Sequence, residues 1–222
     1  MQMPVETPRW GVSTRLSEQK FTLQLHPIDT DRNPKYTLVS QIAHPGGTMS
    51  TYSPEQQAQL YSRFDDLQRK LIPLWKQIGR TDPGGNILEE ENAVVVLPSL
   101  TSDIEFDFPS QQAYEERMLF MLFLLRQPQK RMIYITSMPI QEEIIDYYLH
   151  LLPSVNINNA RRRLTLISPQ DGSPRHLVEK CLERPKLIQQ IRAQIPNLEM
   201  AHLVPFLTTD LERDFAVQLD IP

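Results

Sequence analysis

This chain has no Gly-x-Gly-x-x-Gly, no Walker loop and no Gly-x-Ser-x-Gly. The standard encodings of a dinucleotide site, a P-loop nucleotide site and a serine-hydrolase elbow are therefore excluded. Cysteine is nearly missing. Cys181 stands alone, which rules out an internal disulfide framework and fits a reducing cytoplasm. Glycine is scarce, seven residues against nineteen prolines, and its doublets Gly46-Gly47 and Gly84-Gly85 punctuate loops without cradling phosphate. Long apolar runs are lacking too. The longest, Met118–Leu125 between Arg117 and Arg126, falls far short of the ~20 residues a bilayer span needs. The opening MQMPVETPRWGVS has no basic stretch leading into an apolar one, so no signal peptide is expected. Positive charge is not in excess: the net charge is −4, which argues against a general nucleic-acid binder. The five histidines are widely spaced and form no HxxxH or His/Cys ligand set, so no metal site is expected. A soluble cytoplasmic protein follows as the expectation.

What is present is a core and a repeat. Hydrophobic residues make up 40% of the 222 and charged residues 23%, ordinary usage for a packed domain. Four short apolar runs, Ala93–Leu97, Met132–Thr136, Leu164–Ser168 and His202–Leu207, are each followed by a helix-like stretch. The first three lack polar alternation, as parallel strands buried on both faces do. Right-handed crossovers then give an α/β fold, a Rossmann-like αβα sandwich with a mainly parallel sheet of about four strands.

The rest of the organisation follows from punctuation. Residues 1–52 read as an arm with brief apolar alternation. Ser53-Pro54-Glu55-Gln56 offers a helix cap, and Leu60, Phe64, Leu67, Leu71 and Leu74 continue an amphipathic helix to about Ile78. Pro73 should kink it or end its regular part. Thr81–Asn92 reads as a linker, so 53–92 form one segment and 93–222 the α/β domain. Inside that domain helices are expected from about Ser110 to Arg126, deeply packed, and from Thr136 to about Leu152. Ser173 and Pro174 should open another, which Arg184-Pro185 breaks and restarts. Thr209-Asp210-Leu211-Glu212 is a capping box for the last helix.

Ligands of open α/β sheets sit beyond the carboxyl ends of the strands. Ser99, Asp103, Thr136, Ser137, Asp171 and Ser173 collect there and would hold a small polar ligand. Helix caps and turns use the same residue types, so each position has a purely structural reading beside the functional one. Glu115 and Glu116 read as first-turn acids that complement a helix dipole. Glu142 and Asp146 share a helical face, either as paired carboxylates or, more simply, as a solvated surface. Arg161-Arg162-Arg163 precedes the third strand, away from the ligand edge. Arg175, Lys180, Arg184, Lys186 and Arg192 read as local salt-bridge partners, with docking to an acidic partner second. Cys181, between Val178 and Leu182, reads as a buried inert thiol.

Several strings from Ala93 onward form a set: Val95-Val96-Leu97-Pro98-Ser99-Leu100 with Asp103, Tyr114-Glu115-Glu116-Arg117, and Tyr134-Ile135-Thr136-Ser137-Met138-Pro139-Ile140. Asp146-Tyr147-Tyr148-Leu149-His150-Leu151-Leu152-Pro153, Ala160-Arg161-Arg162-Arg163-Leu164 and Glu183-Arg184-Pro185-Lys186-Leu187-Ile188 complete it. In this order they resemble the amino-terminal, pre-ATP-grasp region of bacterial ATP-grasp proteins related to the pheganomycin peptide ligase. A similar region occurs in the ATP-grasp part of IQ motif-containing protein H. The resemblance implies a carboxylate–amine ligase-like machine using ATP and Mg²⁺. Those cofactors would belong to lobes that relatives carry beyond the position of Pro222, so none is expected in this chain. The lobes are the implied partners, in cis or in trans, and a homo-oligomer stays open. No catalytic residue transfers. Ser99, Asp103, Thr136, Ser137 and Asp171 would shape an acceptor pocket. A non-catalytic α/β binding or assembly module is the competing expectation, and a complete small α/β transferase a third.

Overall fold

The structure is a computed structural model that describes residues 52–77, 91–101, 107–153 and 155–222. The expected arm, most of the expected linker and Asp103 lie outside those residues. Four strands, β1 (Asn92–Leu97), β2 (Lys130–Ile135), β3 (Leu164–Ile167) and β4 (Ala201–Pro205), pair in the order β3-β2-β1-β4. Every pairing is parallel. The chain therefore has the expected Rossmann-like α/β architecture.

Alternation along the two central strands sends side chains to two separate cores. Ala93, Val95, Leu97, Ile133 and Ile135 pack with Val178 and Cys181 of α5 (Leu177–Leu182), Ile188 and Ile191 of α6 (Pro185–Ala193) and Phe215 of α7 (Asp210–Leu219). Val94, Val96, Met132 and Tyr134 face the other way. They meet a nine-residue 3-10 helix, Met118–Arg126, together with α3 (Glu142–His150) and α4 (Ile157–Arg162). One expectation fails at the sheet edge. β3 is only partly buried, with Leu166 36% exposed, because it is an edge strand whose one strand neighbour is β2.

The helix expected over residues 110–126 is two elements. Asp107 caps α2 (Phe108–Arg117), its Oδ1 accepting from the Ser110 N–H at 3.2 Å, and the winding then tightens to 3-10 at Met118. The reason is legible in the residues. Met118-Leu119-Phe120, Met121-Leu122-Phe123 and Leu124-Leu125-Arg126 are three triplets of one pattern. Three residues per turn stacks equivalent positions in straight lines, whereas α-helical winding would rotate them by roughly 60° per triplet. Leu119, Leu122 and Leu125 thus all reach the core with no exposure, while Phe120 and Phe123 face outward.

Three other boundaries move. α3 begins at Glu142, not Thr136, because Thr136 folds back to donate from Oγ1 to the Met138 carbonyl at 2.8 Å. α5 is capped at His176, so Ser173 is not its N-cap; the Ser173 N–H donates instead to Asp171 Oδ1 at 2.9 Å. α1 (Pro54–Gln77) runs on through Pro73, which lies on the exposed face, where water can serve the Arg69 carbonyl that the missing N–H leaves. Its start is as expected, with reciprocal bonds between Ser53 and Gln56. Leu67 and Leu74 are its buried contacts, and Arg213 of α7 stacks 4.1 Å over the Tyr61 ring.

Arg163 joins the layers. Its guanidinium donates to the carbonyls of Leu125, Gln127 and Lys130 at 2.7 Å each, closing the exit of the 3-10 helix and the entry to β2. Arg163→Met removes a donor from each of the three carbonyls, of which Gln127's keeps the Lys130 N–H at 3.2 Å. We expect a loss of about 1–3 kcal/mol in unfolding free energy, read from urea midpoints, while a loss under ~0.5 kcal/mol would mean that water replaces the guanidinium.

Candidate functional site

The carboxyl edge of the sheet is where the fold concentrates polar groups, and three elements meet there. Ser137 follows β2, Glu115 comes from the last turn of α2, and Lys180 comes from α5. The Ser137 N–H donates to Glu115 Oε2 at 2.6 Å, and Ser137 Oγ donates to Glu115 Oε1 at 2.7 Å. Lys180 Nζ donates to the same Oγ at 3.0 Å. The serine hydroxyl thus bridges an acid and an amine, all three fully or nearly buried. Burial pushes the Glu115 carboxyl up, against the Ser137 bonds and the Lys180 charge that pull it down. Burial likewise pulls the Lys180 ammonium down, while Glu115 holds it up. Tyr134 locks the same turn, its hydroxyl donating to the Glu115 carbonyl at 2.6 Å.

Glu115 is therefore not a first-turn acid. Because α2 ends at Arg117, the residue falls in the last turn, and its carboxylate is buried against Ser137. Lys180, expected as a local salt-bridge partner, is fully buried and faces Glu115 across the Ser137 hydroxyl. A signal for both existed in the sequence: each is a charged residue at the apolar spacing of its helix, Glu115 in line with Leu119 and Leu122, Lys180 among Leu177, Val178 and Cys181.

The other expected site residues are tied down in the same way. Ser99 is buried, and its Oγ accepts from the Val178 N–H at 3.3 Å and shares a 2.8 Å hydrogen bond with Thr101 Oγ1. Thr101 in turn donates to Glu212 Oε1 at 2.5 Å, and Glu212 Oε2 accepts from the Thr209 N–H at 2.9 Å in the expected capping box. Asp171 accepts from Arg184 Nη2 at 2.7 Å and Arg175 Nη2 at 3.3 Å. Hydrogen bonding from Ser173, with help from Arg184, holds its carboxyl far below the usual range. The Asp171 N–H and Ser168 Oγ both donate to the Ser137 carbonyl, at 3.0 and 2.9 Å. Thr136, Ser137 and Asp171 thus come together, and α5 links them to Ser99. Each makes its bonds inside the protein.

One crevice opens beside this network, lined by Pro98, Leu100, Gln111, Glu115, His176 and Leu177 and too tight to admit a water molecule. Gln111 is buried, and its Nε2 is committed to the Pro174 carbonyl at 2.7 Å, which fixes the amide's orientation. Gln111 Oε1 and His176 Nδ1 are buried without a hydrogen-bond partner. Gln111 Oε1 is an open acceptor on this wall, and His176 Nδ1 donates or accepts according to its tautomer. No group of three or more His, Cys, Asp or Glu among the described residues is placed to hold a metal.

The remaining candidates are structural. Glu142 and Asp146 both pair with Arg161 of α4, the Asp146 contact at 3.1 Å. Arg175 pairs with Glu183 and Arg192 with Asp220. Burial pushes the Cys181 thiol up to about 12, which leaves it protonated and inert. No helix of the described residues is long and apolar enough to cross a membrane. Compared with protein-family models, with curated proteins and with solved structures, the chain finds no match.

Proposed function

We propose that the α/β unit is the amino-terminal, pre-ATP-grasp part of a carboxylate–amine ligase-like protein of the bacterial cytoplasm. It works with ATP-binding lobes supplied in cis or in trans and is inactive without them. The observation that carries this reading is the filled carboxyl edge of the sheet, where Glu115, Ser137, Lys180, Ser99 and Asp171 satisfy one another. A domain whose own ligand edge is closed serves as a rigid frame. ATP and Mg²⁺ belong to the lobes in this reading. Ser99, Thr136, Ser137 and Asp171 then act by holding the walls of the acceptor side, where the unpartnered Gln111 Oε1 suits a hydrogen-bond donor such as an amine.

A non-catalytic assembly module is the second reading, favoured by the outward-facing Phe120 and Phe123. Calorimetric titration of the 222-residue chain with MgATP separates the nucleotide question cleanly. No saturable heat is expected up to about 1 mM, and a Kd near 1 µM would overturn the reading. Mixing the chain with lobes encoded beside it should then produce acyl phosphate that hydroxylamine traps. Trapping equal to that of the lobes alone favours the assembly module.

A further inference from the structure

The triplet pattern leaves a surface away from the sheet edge, one that the assembly-module reading draws on and the ligase reading does not need. On the outward line of the 3-10 helix Met118–Arg126, Phe120 is 51% and Phe123 47% exposed. Arg126 follows at the same spacing, and Arg117 precedes it by one turn. Both arginines are exposed, and neither forms an ion pair among the described residues. Winding at three residues per turn keeps Phe120, Phe123 and Arg126 in one straight row, and Arg117 caps its start at the end of α2. A regular α-helix would swing Arg117 and Arg126 to opposite sides, since three steps of roughly 60° separate them. At about 2 Å of rise per residue, the two guanidinium-bearing positions stand about 18 Å apart with two phenyl rings between them. Exposed aromatics flanked by arginines have the composition of an interface centre with charged ends.

We propose that this row docks an acidic amphipathic helix of a partner protein. The row's length and charge set the partner's form. At 1.5 Å per residue, an α-helix spans the two arginines with carboxylates about eleven residues apart, a spacing that returns them to one face. Apolar side chains four and seven residues after the first carboxylate then lie over Phe120 and Phe123. A second copy of this chain is the poorer occupant, because pairing the row with itself in the antiparallel sense sets Arg117 against Arg126. An anionic bilayer is poorer too: two arginines on a chain of net charge −4 are not the basic cluster that such a surface recruits. The inference holds under either reading of the α/β unit.

The probe is a fluorescein-labelled helical peptide with Glu at positions i and i+11 and Leu at i+4 and i+7, titrated with the 222-residue chain by anisotropy. Saturable binding with a Kd of about 100 µM or tighter is expected. Phe120→Ala with Phe123→Ala should weaken it by about tenfold or more. Arg117→Glu with Arg126→Glu should abolish it and restore binding to the same peptide carrying Lys for Glu. Circular dichroism melts check that each variant folds, and the charge-swapped pair remains informative if the alanine pair does not. No binding at about 1 mM, equal binding of a Gln-for-Glu peptide, or no rescue on charge reversal overturns the proposal. So does sedimentation as a dimer that Phe120→Ala dissociates, or flotation with phosphatidylserine vesicles in place of peptide binding.

Discussion

Lys180→Met is expected to cost about 3–5 kcal/mol of folding free energy, because it strands the Glu115 carboxylate in the interior without its cation. The pH dependence gives the loss its signature. Burial already raises the Glu115 pKa above 4.5 in the folded state, and the Lys180 charge restrains the rise. A carboxyl with a raised folded pKa contributes stability that is present below its unfolded pKa and is lost as pH climbs through the folded value. Removing the lysine lifts that folded value further. The Lys180→Met penalty should therefore grow as pH rises above 4.5 and level off once it passes the raised folded value. Glu115→Gln should behave oppositely. Lys180 has a folded pKa lowered from 10.5 by burial, so its unfolded form binds the extra proton, and stability rises with pH between the folded value and 10.5. Without Glu115 that folded value falls further. The Glu115→Gln penalty is then largest near neutral pH and shrinks toward about pH 10. The double variant removes both charges and should lie within about 1–2 kcal/mol of the native chain. Urea denaturation across that pH range reads all four proteins. Parallel profiles for the two single variants, or a double variant as weak as their sum, would falsify the assignment of a hydroxyl-bridged ion pair.

That pair also marks the limit of what the residues alone disclose. The strands were legible because parallel strands are apolar on both faces, and Val94, Val95 and Val96 state this without ambiguity. The capping boxes at Ser53 and Thr209 were legible because a cap is a local chemical pattern whose partner lies three residues away. Which residues gathered at the sheet's carboxyl edge was also legible for Ser99, Thr136, Ser137 and Asp171. What they bond to was not. Glu115 lies 22 residues from Ser137, and Lys180 lies 43 away, so no local rule pairs them. The displaced start of α2 had the same effect, since a helix thought to open near Ser110 puts Glu115 closer to its positive end than it is. The third omission, the triplet pattern, was local and readable. It was masked by an apolar content high enough to pass for an α-helix buried all round.

The 3-10 winding makes the second large prediction. Leu119→Ala, Leu122→Ala and Leu125→Ala should each cost about 2–5 kcal/mol, because straight stacking brings all three side chains to full burial against Val94, Val96, Met132 and Tyr134. The equality is the diagnostic feature. A regular α-helix through the same residues turns successive triplet positions by roughly 60°, so one end of the leucine row would leave the core and its alanine variant would cost under ~1 kcal/mol. Phe120→Ala and Phe123→Ala should stay within about 1 kcal/mol of the native chain, despite removing larger side chains, because both rings stand half in solvent. Thermal and urea unfolding of the five variants tests the pattern in one experiment. A phenylalanine variant as damaging as the leucine ones would make the outward row part of the core and remove it as a docking surface. If instead the leucines carry the stability and the phenylalanines none, each triplet divides its work. One position builds the domain, while the next keeps an aromatic ring in water between two arginines, a placement that folding alone does not require.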